Sequence, residues 1–88
     1  MLVYHDTTLA FHAAAGQRWG LTPRRARTQS VTLDYRERSP TAAKRHLAWI
    51  SSSQCGETIR HEHSDGRVTY VFRDPRDLTQ FRWECFLE

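Results

Sequence analysis

Ile59-Arg-His-Glu-His-Ser-Asp-Gly-Arg-Val-Thr-Tyr-Val-Phe72 is the stretch on which the fold turns. Asp65-Gly66 is a strong signal for a two-residue hairpin turn, because both residues tolerate the left-handed backbone such a turn needs. With that pair as the loop, Ser64 faces Arg67, His63 faces Val68, His61 faces Tyr70 and Ile59 faces Phe72. Apolar residues then meet on one face. Glu62–Thr69 and Arg60–Val71 fall on the other, mostly polar, face. A second turn at Asp74-Pro-Arg-Asp77 brings back a strand with Phe81, Trp83 and Cys85 inward and Gln80, Arg82 and Glu84 outward. Tyr70 faces Phe81 and Val68 faces Trp83 in that register, which completes a three-stranded C-terminal meander.

Working outward, Val31, Leu33 and Tyr35 alternate with Thr32, Asp34 and Arg36, the period of a strand over residues 30–36. Ser39-Pro40 opens a helix over residues 40–53, with Ser39 as cap and Pro40 at the first position. Its apolar stripe is Ala43, Leu47 and Ile50, flanked by Ala42, His46 and Trp49, and Gly56 ends it. Residues 21–29 read equally well as a short basic helix, capped by Thr22-Pro23, or as a basic loop. An N-terminal helix spans residues 7–19, capped by Asp6 or Thr7 and stopped at Gly20. Leu2-Val-Tyr4 is a short leading strand and a candidate cover for an open sheet edge. The fold class is therefore α+β, an antiparallel β-sheet packed on helix 40–53 with an N-terminal helix, in a single domain of residues 1–88.

The chain has 88 residues, enough for one thin core, and 39% of them are hydrophobic. No apolar run approaches the ~18 residues a membrane helix needs. Nothing at the start resembles a signal peptide, so Cys55 and Cys85 read as reduced thiols in a cytoplasmic protein. The formal net charge is +3, and the basic excess lies in residues 18–45, including Arg18, Arg24, Arg25, Arg27, Arg36, Arg38, Lys44 and Arg45. Such a patch attracts nucleic acid or an acidic protein surface.

The chemistry of sites is sparse. His61 and His63, two apart on a strand, share a face, and His5, Cys55 and Cys85 would complete a zinc set. No Cys-x2-Cys or His-x3-His pair supports it, and two half-buried histidines in a sheet explain the spacing as well. No base or oxyanion hole is recognisable beside Cys55, and no phosphate loop, paired carboxylates or nucleotide fingerprint occurs. The chain reads as a non-enzyme with no cofactor and no metal.

Two binding readings remain. Helix 7–19, the Gly20-Leu21 turn and Thr22-Pro-Arg-Arg-Ala-Arg27 form a helix-turn-helix, with Arg24, Arg25 and Arg27 at the groove of DNA. Alternatively the same arginines meet a protein, with Trp19 as an exposed anchor, because Trp and Arg dominate interface hot spots.

A strand from Val31 to Tyr35, a helix entered through Ser39-Pro-Thr-Ala-Ala-Lys44, then Cys55-Gly-Glu-Thr-Ile and a three-stranded meander resemble small phage-encoded anti-CRISPR proteins. The likeness is to those acting on type I multisubunit surveillance complexes. It covers roughly residues 30–86 and rests on length, element order and the Ala-Lys helix entry. No residue roles carry over. It implies a non-enzymatic inhibitor in the host cytoplasm that docks on a Cascade-type CRISPR effector and blocks its DNA binding; a monomer is assumed, since the sequence leaves the oligomeric state open. The residues read as partner-binding are Arg24, Arg25 and Arg27, with Trp19, Lys44 and Arg45 nearby if the two helices lie side by side. The alternative is a small DNA-binding regulator built on residues 7–29.

Overall fold

A computed structural model describes residues 2–5, 18–52 and 54–86. The elements in chain order are β1 (Leu2–His5), α1 (Pro23–Thr28), β2 (Ser30–Asp34), α2 (Pro40–Ile50), β3 (Thr58–Glu62), β4 (Arg67–Phe72) and α3 (Pro75–Phe86). The α+β class holds. Four strands form one sheet in the order β1-β3-β4-β2. β2, β4 and β3 are antiparallel neighbours, while β1 runs parallel to β3 and pairs Leu2 with Ile59 and Tyr4 with His61. The leading strand does cover an edge. Residues 21–29 contain a helix, and Arg18 and Trp19 are helical before Gly20, whose φ of 67° marks the stop. Helix 7–19 otherwise lies outside the described residues.

Each described helix begins with the same two-residue device. Thr22-Pro23 and Ser39-Pro40 place a hydroxyl on a first-turn amide, from Thr22 to Arg25 N at 3.2 Å and from Ser39 to Ala42 N at 3.2 Å. Asp74-Pro75 does the same with a carboxylate, which accepts from Arg76 N at 2.9 Å. Proline at the first position loses an N–H that has no partner there anyway.

That third cap overturns the last strand of the meander: residues 75–86 are helix α3. The alternation of Phe81, Trp83 and Cys85 mimics strand period, but Leu78, Phe81 and Cys85 also recur at i, i+3 and i+7. Those three are the buried positions among the described side chains of this helix, and Trp83 is 66% exposed. A helix turns Trp83 about 200° from Phe81, whereas a strand would place both on one face. Trp83→Ala is accordingly expected to change stability by no more than ~0.5 kcal/mol, as surface substitutions do. Thermal melts check this; a loss of several degrees would contradict it.

The hairpin register differs by one residue from the expected one. Ile59 pairs with Val71, Arg60 with Tyr70 and His61 with Thr69. The loop has three residues, Ser64-Asp65-Gly66, not two: His63 N donates to Arg67 O at 2.9 Å and Gly66 N to His63 O at 3.3 Å. Gly66 sits at φ 91° and a Cβ there would meet Arg36 Cγ at 2.7 Å, so glycine is needed twice over. A one-residue slip moves a strand's side chains to the opposite face. Ile59 and His61 therefore join Thr69 and Val71 on one side of the sheet. Val68, Tyr70 and Phe72 lie on the other, with Arg60 rather than Ile59 beside Tyr70. All of these but Arg60 are buried, so β4 is covered on both faces, which is why its sequence reads as a nearly unbroken apolar run.

The main core lies between Val68, Tyr70, Phe72, Leu33 and the helices α2 and α3. Phe81 is its hub, 5.4 Å from the His46 ring, 5.5 Å from Phe72, 5.8 Å from Trp49 and 6.1 Å from Tyr70. Helix α2 stops at Ile50 with Ser51 as its cap, short of Gly56. It turns His46 and Ile50 inward, while Leu47 is 37% exposed. A fully buried imidazole is tolerated because Tyr35 Oη lies 2.8 Å from His46 Nδ1.

Candidate functional site

Helix α1 carries three of the singled-out arginines on a rigid mount. Ala26 is buried against β2 and β4, and at ~100° per residue Arg25 and Arg27 flank it while Arg24 points away. All three are exposed. The mount is fixed behind them: Gln29 Nε2 donates to the carbonyls of Phe72 at 2.9 Å and Arg73 at 3.0 Å, and Phe72 N donates to Gln29 O at 2.8 Å. The last carbonyls of the helix are taken by Thr28 Oγ1 on Arg25 O at 2.9 Å and by Ser30 Oγ on Arg27 O at 2.8 Å.

The other arginines divide sharply from these. In Asp34-Tyr-Arg36, Asp65-Gly-Arg67 and Asp74-Pro-Arg76, the aspartate accepts the backbone N–H of the arginine two residues on and pairs with its guanidinium. The ion-pair distances are 2.6, 2.7 and 3.0 Å. Arg60 pairs with Glu62 at 3.3 Å and Arg73 with Glu57 at 3.1 Å. No ion pair joins Arg24, Arg25, Arg27 or Lys44 to a described residue. The Asp-x-Arg spacing marks three of these five paired arginines, and the charge count alone missed it.

These pairs have a pH consequence. The Arg36 guanidinium and amide hold the Asp34 carboxyl at about 2, below its ordinary 3.8. The contact therefore supports the turn fully above pH ~4 and is lost as pH falls from there through about 2. An NMR titration of the Asp34 carboxyl is expected to give a midpoint near 2, returning toward 3.8 in Arg36→Ala. An unshifted midpoint in the wild type would contradict the pair.

The remaining singled-out residues do not join one patch with α1. Trp19 is half-buried, and its indole N–H donates to Glu57 Oε2 at 2.9 Å, the oxygen that also receives Arg73. It is tethered, not an open anchor. Lys44 and Arg45 are exposed on α2, which packs chiefly on α3, whereas α1 packs on β2 and β4. The side-by-side arrangement of the two helices is not among the principal contacts.

No group of three or more His, Cys, Asp or Glu comes together among the described residues. The His61 and His63 rings do lie together, 4.1 Å apart and tilted by 41°, but His63 Nε2 is engaged by Thr69 Oγ1 at 2.8 Å, and Thr69 reaches on to Thr32 at 2.7 Å. That chain ties the residue just after β3 to β4 and β2. Burial and the nearby Asp77 push the Cys55 thiol up to about 11, so it is protonated at neutral pH and a poor nucleophile. Among the described residues no helix is long and apolar enough to cross a membrane.

No protein-family model matches this chain, and neither a curated protein nor a solved structure matches it.

Proposed function

We propose that this chain is a non-enzymatic docking protein that works by occupying a partner's surface with α1. The observation that carries the reading is the contrast among its arginines. Arg24, Arg25 and Arg27 fan out from a helix pinned to the sheet, while Arg36, Arg60, Arg67, Arg73 and Arg76 are consumed by acids of the chain itself. A preorganised guanidinium ridge suits carboxylate or phosphate groups on the partner, and it needs no pocket or turnover.

As the partner we propose a type I CRISPR effector complex, with inhibition of its DNA binding as the outcome. The strand, the Ser39-Pro-Thr-Ala-Ala-Lys44 helix entry and the hairpin of that resemblance are present here, and the third meander strand is replaced by α3. The test is recovery of effector subunits on the tagged chain from a host carrying such a system, together with loss of interference in those cells. Empty pull-downs with interference intact would overturn the partner.

The second reading is a DNA-binding regulator. The same ridge favours it, since Thr22-Pro23 does open a helix carrying all three arginines. Its length of six residues, about 9 Å, gives little to lay in a major groove before β2 begins at Ser30. Direct duplex binding that weakens steeply with salt would favour this reading over the first.

A further inference from the structure

Helix α1 is held to the sheet by very little apolar surface. Of its six residues only Ala26 is buried, and a helix this short has no stability of its own in water. One buried methyl group resists lifting of the helix, but burial is non-directional and does not fix its tilt or rotation. The direction in which Arg24, Arg25 and Arg27 point needs another restraint.

Gln29, the C-cap of α1, supplies it. The residue is 6% exposed. Its side-chain amide donates twice, to Phe72 O at 2.9 Å and to Arg73 O at 3.0 Å. Its backbone carbonyl accepts from Phe72 N at 2.8 Å, and its backbone N–H donates to Arg25 O at 3.0 Å. One residue thus closes the last turn of the helix and adds a rung to the β2–β4 ladder beyond Ser30 and Val71. The acceptors are themselves fixed. Phe72 is fully buried in the main core, and Arg73 N donates to Glu57 O at 3.1 Å while its guanidinium meets Glu57 Oε2 at the same distance. The entry side of α1 ends on the same bracket, through the Trp19 indole on Glu57 Oε2.

We infer that Gln29 is the positioning residue of the docking surface: it lies out of a partner's reach, and it fixes α1 so that the three guanidinium groups stand in one arrangement before the partner arrives. The inference rests on the docking reading of α1 given above. Its consequence is kinetic. Removing the Gln29 side-chain bonds leaves every charge in place, so electrostatic steering and association keep their rate. A helix free to tilt must then be ordered within the complex, and that cost shows as faster dissociation. Charge reversal at the arginines does the opposite and acts first on association.

The test is binding of a purified type I effector complex to the immobilised chain, followed by surface plasmon resonance at two salt concentrations. Gln29→Met keeps the length of the side chain and removes its donors. It is expected to dissociate at least about tenfold faster, with an association rate within about threefold of wild type and the same salt dependence. Hydrogen exchange at the Ala26 and Gln29 amides should accelerate in the free variant. Ile50→Val, a core change on α2, which packs chiefly on α3, controls for lost stability. It should lower the melting temperature while leaving dissociation and α1 exchange as in wild type. Wild-type dissociation by Gln29→Met, unchanged α1 exchange, or an equal rise in dissociation for Ile50→Val would overturn this inference alone. A wild-type chain that does not bind the effector would overturn the docking reading and the inference with it.

Discussion

Phe81→Ala is expected to lower stability by about 3–5 kcal/mol, the range for emptying a fully buried aromatic site. Phe81 is completely buried and meets four rings, from α2 (His46, Trp49) and from β4 (Tyr70, Phe72). Its removal strips contacts from both layers at once, and the rigid sheet beneath cannot collapse into the space. Against the ~5–15 kcal/mol that holds a native domain together, this loss leaves the variant partly unfolded at ambient temperature. Arg82→Ala, the adjacent residue on the exposed flank of α3, should stay within ~0.5 kcal/mol of wild type. Urea denaturation of the two variants beside Trp83→Ala decides the geometry. A stable Phe81→Ala with an unfolded Trp83→Ala would mean that residues 75–86 do not form the helix described.

Much of this architecture could be read before any coordinates. The Ser39-Pro40 and Thr22-Pro23 caps, the strand at Val31 and Leu33 and the β3–β4 hairpin all follow from local chemistry acting over a few residues. Two differences from the sequence reading share a cause: each concerned a choice between two periods or two registers that local sequence leaves nearly balanced. Phe81, Trp83 and Cys85 satisfy a strand, while Leu78, Phe81 and Cys85 satisfy a helix, and Asp74-Pro75 tips the balance by capping as Ser39-Pro40 does. Asp65-Gly66 announces a turn, but whether the loop has two residues or three depends on where Gly66 takes its left-handed conformation. Leu47 is the more apolar neighbour of His46, yet His46 is the one buried, where Tyr35, the residue just after β2, supplies a polar partner. A tertiary hydrogen bond decided which side of α2 faces the core.

The basic patch was visible in composition, and its meaning was not. Counting charges treats Arg36, Arg67 and Arg76 as equal to Arg24, Arg25 and Arg27. An aspartate two residues before each of the first three closes a turn and occupies the guanidinium, whereas the residues two before Arg24, Arg25 and Arg27 are Thr22, Pro23 and Arg25. The second group makes no ion pair with a described residue, which is the contrast on which the proposed function rests.

Replacing Arg24, Arg25 and Arg27 together by Glu is expected to produce the largest functional change. The substitutions turn the formal net charge from +3 to negative and set like charge against an acidic surface. Long-range attraction becomes repulsion, which should slow association about 10- to 1,000-fold at low salt, with the difference shrinking as salt screens it. All three side chains are exposed, so the fold should survive: an unchanged melting temperature alongside lost binding identifies a docking defect. Normal association by the variant would place the contact surface elsewhere.

The most direct measurement of the central claim follows a labelled target duplex by anisotropy as it binds a purified type I effector complex, with this chain titrated in. The account predicts that the wild-type chain prevents the effector from taking up the duplex, that the α1 Glu variant does not, and that neither binds the free duplex at physiological salt. Tight, salt-sensitive binding of the wild-type chain to the duplex alone, with effector loading otherwise unaffected, would contradict it.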